Sequence, residues 1–497
     1  MRYGLRTTVL AVLLTTGCKE DDLDASGSQE LGEACDPGDD GETCVDGLRC
    51  EPVGRDTGAW VCAAALEIRG TVYDAFDGSP IVGARVAALD ESGAPVSDVA
   101  VTGPDGHYVL AVSARRDATG AITEALRWTL FVTARDYMIF PEGVRPALPI
   151  NAQEAVPERE TDDPAVLRII DNPTTHVALI PLDEEERTGI TVAGQVHGEL
   201  AGGTMVVAEG GSGERTTYTI ADSSGSYALF NVAPGATFVH GYRWGLELEP
   251  ASISVGAGDL EAVDLHVLTE DPTAMATVSG QINIVNAEGG SQTTVVLVPA
   301  SLYNEALERG PVPLGLRDPA PPQAPSVSGQ YVLDGVPAGS YKVLPAFEND
   351  FLVRDPDTSI AGTEIVEITV APSEDVSISE GFKVTGALAV FTPGTEAPEV
   401  VTGTPEFVWQ DDASETHYEI VVFDALGEVV WQHDEVPAVM GSDRVVQVYE
   451  GPPLERGMYY QFRATSMRRM PNSLTAISRT EDLRGVFVYD PVPENGS

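Results

Sequence analysis

The sequence predicts an all-β protein: tandem β-sandwiches behind a small disulfide-rich N-terminal module. A short phrase, Gly106-x-Tyr108-x-Leu110, returns as Gly225-x-Tyr227-x-Leu229 and Gly329-x-Tyr331-x-Leu333, and a returning phrase marks a returning structural unit. The 50 glycines and 35 prolines punctuate Val- and Thr-rich runs, and no longer stretch keeps a helical period. A chain of 497 residues with 43% hydrophobic content is long enough for several cores at roughly 100 to 150 residues per domain.

At the N-terminus, Arg2 and Arg6 precede the apolar run Val9 to Leu14, followed by Thr15-Thr16-Gly17-Cys18. The run is far short of the roughly 20 residues that cross a bilayer as a helix, so removal as a signal peptide is expected over residues 1–17. The segment resembles a bacterial lipoprotein signal. That resemblance implies lipidation of Cys18 after cleavage, although such signals usually carry Leu where Thr15 stands here. It also implies an outer-membrane address, because Lys19 rather than Asp follows the cysteine. Two or three acyl chains, at about 0.8 kcal/mol per buried methylene, would hold the chain on a membrane surface. An ordinary secretory signal that leaves Cys18 as an odd thiol is the competing reading. Residues 18–32 are acidic and polar and read as a flexible tether.

Residues 33–65 hold Cys35, Cys44, Cys50 and Cys62 among Gly, Asp and Pro, with few large apolar residues. So thin a core needs covalent staples, and two disulfides are expected, with their connectivity open. A zinc site would need Cys-x-x-Cys or a neighbouring His, and neither occurs. An EF-hand calcium loop counted from Asp36 fails at Gly38 and Gly47, where ligands are required. No cofactor or metal is expected.

From residue 66 the repeats begin. In each, a tight turn at glycine, where positive φ costs nothing, leads into a strand whose Tyr and Leu point into a core. Val232 and Gly235 follow Tyr227 at the offsets at which Val336 and Gly339 follow Tyr331, with a proline between them both times. The run Gly70-Thr71-Val72-Tyr73-Asp74, then Gly78-Ser79-Pro80, Gly83-Ala84, Thr102 and Asp105-Gly106 with Tyr108 resembles the carboxypeptidase regulatory-like domain. This implies a transthyretin-like sandwich of about seven strands over 66–182, with further copies opened by Gly194 and Gly280 over 190–268 and 277–386. The first copy carries an acidic insertion, Glu154 to Asp163, read as a surface loop. Residues 396–490 change character. Pro405-x-Phe407-x-Trp409, Tyr418-x-Ile420-x-Val422 and Tyr460-x-Phe462-x-Ala464 resemble a fibronectin type III-like sandwich, with Trp409 as core filler and Tyr460 as a corner tyrosine.

The formal net charge is -48, and the lysines are Lys19, Lys342 and Lys383 alone. Nucleic acid is excluded as a partner, since phosphate binding needs basic clusters. His107, His176, His197, His240, His266, His417 and His433 are solitary, and no His-Glu-x-x-His, Gly-x-Ser-x-Gly or phosphate-cradling motif occurs. Phe238, His240, Tyr242 and Trp244 alternate along one expected strand. Such a stripe either fills a core or, through Tyr242 and Trp244, stacks on sugar rings. The expectation is a noncatalytic, membrane-anchored envelope rod that spaces or binds, contacting glycans or other surface proteins. The alternative is a hydrolase-associated protein whose active site the motifs do not reveal.

Overall fold

The computed structural model describes residues 29–491, apart from 37–43, 46, 55–57, 124–125, 143–144, 162, 185, 188, 211–215, 286, 288–291, 306–307, 321–322, 346–351, 355–364, 380, 413 and 471–472. The chain is all-β, and among the described residues the only helices are short 3-10 turns. No helix among them is long and apolar enough to cross a membrane.

The three repeats share one topology. The opening strand (Leu66–Asp74, Ile190–Gln195 or Ala276–Ile284) pairs antiparallel with the Gly-x-Tyr strand. On its other side it meets the returning end of the same repeat in parallel. A second sheet of four strands covers this pair, in the orders 100–101/85–89/127–133/150–151, 217–220/205–210/235–242/251–255 and 317–318/295–299/339–345/367–370. The inner faces close one core per repeat.

The recurrent phrase is explained by a clamp. Gly70, Gly194 and Gly280 on the opening strands lie directly opposite Tyr108, Tyr227 and Tyr331. The parallel pairing is interrupted at each of these glycines: in the first repeat it covers 66–68 and 72–74 but not Gly70. In the gap the tyrosine ring reaches over the glycine, and Tyr108 Oη donates to the Thr175 carbonyl at 2.6 Å. Tyr227 does the same to Val263. Any Cβ on Gly70 or Gly194 would run into those same carbonyls. The residue before each tyrosine strand also recurs in its bonding: the carbonyls of Gly106, Gly225 and Gly329 accept from Val72, Val196 and Ile282. Gly106 and Gly225 have φ of 75° and 85°, whereas Gly329 lacks the positive φ expected of it. Tyr108, Leu110, Tyr227, Leu229, Tyr331 and Leu333 are all buried, as the alternation requires.

The last unit sets three strands, 390–392, 406–410 and 444–448, against a larger sheet ordered 399–401/486–489/459–470/417–424/429–437. Trp409 is fully buried at its centre, against the edge of Tyr418 at 5.6 Å. Tyr460 accepts the Glu455 backbone N–H at 2.8 Å, five residues upstream at the strand's start.

The N-terminal hairpin Leu48–Pro52/Trp60–Ala64 is closed by Cys35–Cys50 and Cys44–Cys62. It is fixed to the first repeat, where Glu51 accepts from the Ser113 hydroxyl at 2.5 Å and the Ala114 N–H at 2.9 Å. Burial pushes the Glu51 carboxyl up; Ser113, Arg116 and Ala114 offset part of that.

Two expectations need correction. The start of the acidic insertion is not a free surface loop: Ala152–Glu154 forms a 3-10 turn, Val156–Pro157 pairs with Arg168–Ile170, and Glu154 accepts the hydroxyl of Tyr459 from the last sandwich. Nor do the sandwiches string out as a rod. The first repeat touches all three others. Arg85 donates to the Ile220 and Ser226 carbonyls of the second repeat, and Arg317 of the third pairs with Asp90. Arg145 reaches the Leu426 carbonyl and Glu428 of the last. The physical reason lies in the second sheets, whose outer faces are also apolar. Met205, Val207 and Tyr242 of the second repeat belong to the core of the third, while Leu89 and Phe131 of the first pack on Ile220 and Tyr218 of the second.

Candidate functional site

Where the four sandwiches converge they leave a half-open cavity of about 680 Å³ lined by residues from every one of them. The first repeat gives the end of its strand Arg85–Leu89 and the following turn, in which Asp90 accepts from the N–H groups of Ser92 and Ala94. Such an Asx-type turn fixes the loop locally. The second repeat contributes Tyr218, its ring stacked on Phe131 at 4.7 Å; burial and then Glu142 hold its phenol protonated far above the usual range. The third supplies Leu302 and Tyr303 from the turn at Ala300–Leu302, and Arg309. The last supplies Phe423, Arg463, Arg479 and Asp482.

Its walls are therefore apolar and aromatic in part, and elsewhere carry four guanidiniums matched by the carboxylates of Asp90, Glu91, Glu142 and Asp482. Arg463 lies over the Phe423 ring, 5.6 Å from its centre, and its Nη1 meets Asp482 at 2.9 Å. Asp482 also pairs with Arg309, so one carboxylate joins the third repeat to the last. Desolvation, then the like charges of Arg309 and Arg479, hold the Arg463 pKa well below its ordinary value. Arg145 closes the opposite rim, stacked on Phe140 at 5.2 Å and donating to the carbonyls of Ala178 and Leu426.

A cluster beside the cavity resembles a hydrolytic constellation only in composition. Ser301 donates to Glu209 at 2.6 Å, and His240 lies 3.5 Å from the other oxygen of that carboxylate. Nucleophilic activation requires the imidazole between hydroxyl and carboxylate; here the carboxylate stands between. Tyr242 also donates to Glu209, at 3.1 Å.

The residues singled out from sequence fall as follows. Cys18 lies outside the described residues. The four remaining cysteines are paired, and although the sulfurs of Cys35, Cys44 and Cys62 lie within 4.8 Å of one another, the disulfides consume them. The aromatic stripe is split by the third repeat. Tyr242 is 2% exposed, edge-on to Tyr341 at 5.7 Å, which removes it from any sugar-facing platform. Phe238 is half exposed. Trp244 donates to Asp334 at 3.2 Å and covers Gly315 and Gly335 of the third repeat. Sequence reasoning missed the cavity and its arginines, which are scattered singly along the chain. One signal pointed to the packing of the sandwiches on one another: the runs Met205–Ala208 and Val295–Val298 are apolar without alternation, the pattern of strands buried on both faces.

Fold and cavity define a class: an all-β protein of several sandwiches with a pocket at their junction. No family model matches the chain, and no curated protein does. Among solved structures, the Bacillus anthracis TIE protein is 11% identical, covering 83% of this chain and 69% of its own, with a TM-score of 0.15. The minor pilin GBS52 of Streptococcus agalactiae is 10% identical, covering 39% and 96%, with a TM-score of 0.18. A DUF3823 family protein from Bacteroides ovatus is 13% identical, covering 43% and 98%, with a TM-score of 0.19. Likeness at this level carries no argument about function.

Proposed function

We propose that the chain is a noncatalytic, lipid-anchored envelope protein whose four sandwiches frame a binding pocket. The observation that carries this reading is the junction cavity itself: four modules contribute apolar, aromatic and charged side chains to one concave site, and concave sites between modules are where ligands usually bind. The first three sandwiches are read as carboxypeptidase regulatory-like domains and the last as fibronectin type III-like. Acylated Cys18 would tie the acidic tether to the outer membrane, and the ligand would be a small envelope metabolite or glycan fragment rather than a long polymer.

Two measurements test it. Mass spectrometry of the native N-terminal peptide should find acyl chains on Cys18, and an unmodified thiol there overturns the anchor. A thermal-shift screen of small metabolites and oligosaccharides should give ligands that raise the melting temperature of the native chain but not of Leu302→Trp, which fills the pocket. Stabilisation that survives Leu302→Trp puts binding elsewhere and overturns the pocket.

A further inference from the structure

We infer that the outer face of the second repeat holds one divalent transition-metal ion of the zinc and copper class, ligated by His197, His266 and Asp264. None of these residues lines the junction cavity, so the inference is independent of the pocket reading above.

The histidines stand singly in the sequence, and the fold joins two of them. The opening strand of the second repeat meets its returning end at a parallel bridge between Val196 and Leu265, and the His197 N–H donates to the Leu265 carbonyl at 3.0 Å. Val196 and Leu265 are buried, so the next residue on each side turns outward and the two imidazoles come side by side. Their ring centres are 4.9 Å apart, with the planes 4° from parallel. Asp264, two positions before His266, faces the same way, and its Oδ2 stands 3.5 Å from His197 Nε2. Its other oxygen, Oδ1, accepts the Gln195 N–H at 3.1 Å, which fixes the carboxylate. Glu270 accepts the Leu200 N–H at 3.1 Å and so pins the chain just past His197.

Zinc takes imidazole nitrogen and carboxylate oxygen at about 2.0 to 2.2 Å, so two donors to one tetrahedral ion lie about 3.3 Å apart. His197 and Asp264 already stand at nearly that spacing. His266 supplies the third donor by turning the edge of its exposed ring toward the pair. Two imidazoles and a carboxylate, with the remaining positions left to water, suit Zn2+ or Cu2+; Ca2+ and Mg2+ prefer oxygen alone. The surroundings favour a cation too, since Glu249 lies directly across from His266 and the whole chain carries a formal charge of -48.

The place is also where the repeat is most thinly joined. In the first and third repeats the opening strand meets the returning end through two three-residue parallel pairings. In the second, among the described residues, the same join consists of single bridges at Val192–Leu260 and Val196–Leu265. A metal shared by His197 and His266 clips that seam, and an ion that binds only the folded form stabilises it.

The test uses the full chain, first stripped with a chelator, with ZnCl2 and CaCl2 as probes at physiological salt, read by calorimetry and thermal melting. One Zn2+ per chain should bind at least roughly tenfold tighter than Ca2+ and raise the melting temperature. His197→Asn and His266→Asn should each weaken Zn2+ at least roughly tenfold and leave Ca2+ unchanged, while His107→Asn should alter neither. Zn2+ binding no tighter than Ca2+ would mean that the acidic surface alone collects ions, and overturns the site. Tight Zn2+ binding that survives both variants puts the ion elsewhere, and loss in only one of them overturns the shared ligation. The comparison of the two ions needs no variant, so it stands even if a substitution unfolds the protein.

Discussion

The interior of each repeat and the seams between repeats are built by different chemistry. Inside, a glycine, a tyrosine and a returning carbonyl interlock within an apolar core in the first two repeats, and the third keeps the glycine and the tyrosine. At the seams single arginines reach across: Arg85 and Arg135 to the second repeat, Arg317 from the third to the first, Arg127 and Arg145 to the last, and Arg309 from the third to the last. In so acidic a chain, these six of the 29 basic residues sit where two units touch. The contrast teaches that a unit's folding and its docking are separable: shape governs the first, while the second adds charge neutralisation and carbonyl capping to apolar outer faces such as those at Tyr242 and Phe131.

The largest effect should come from breaking an interior. Gly70→Ala pushes a methyl into the Thr175 backbone and should cost about 3 kcal/mol or more by overpacking, seen as a lower melting temperature and loss of the first repeat's protection in hydrogen exchange. Next is a seam. Arg145→Met removes donors to two carbonyls and a partner of Glu428, for about 2 kcal/mol. Scattering should then show the last sandwich swinging away while circular dichroism stays unchanged; an unaltered radius of gyration breaks the separability claimed here. Third, Tyr108→Phe leaves the Thr175 carbonyl without its donor and should cost about 1 kcal/mol. Tyr331→Phe should cost nothing measurable, because the Tyr331 hydroxyl has no partner among the described residues. No loss in Tyr108→Phe would mean that the clamp acts through ring packing alone.

The smallest effect concerns pH. Burial raises the Glu51 carboxyl in the folded state, so the folded form holds its proton more tightly than the unfolded chain. Stability from this group is then fully present below the ordinary glutamate value and is lost as pH climbs through the raised one. Glu51→Gln keeps an acceptor for Ser113 and Ala114, and should flatten the gain in melting temperature that the native protein shows between pH 7 and pH 5. A steeper gain in the variant would reverse the assignment.

The same division explains what was legible beforehand. Gly-x-Tyr-x-Leu is local and periodic, so its turn, its inward face and its threefold recurrence could be read from residue order, and Trp409 and Tyr460 declared their places for the same reason. Seams are non-local: Arg145 and Leu426 are 281 positions apart, and nothing near either residue announces the other. Tandem repeats without a catalytic segment predict a rod only where the outer faces of the repeats stay wet. Unbroken runs such as Met205–Ala208 contradicted that, and so did Tyr242, which the alternating stripe placed correctly on a face without saying that the third repeat covers it. Disulfide partners were beyond reach because spacing alone allows each of the cysteines more than one mate.

Contact between Arg145 and the last sandwich makes the chain double back on its own beginning. Were its two ends pulled apart, by flow or by a tethered neighbour, length would be released only after this latch gave way. The three inner bodies would then pay out in turn, so the molecule would behave as a fuse with a threshold rather than as a spring.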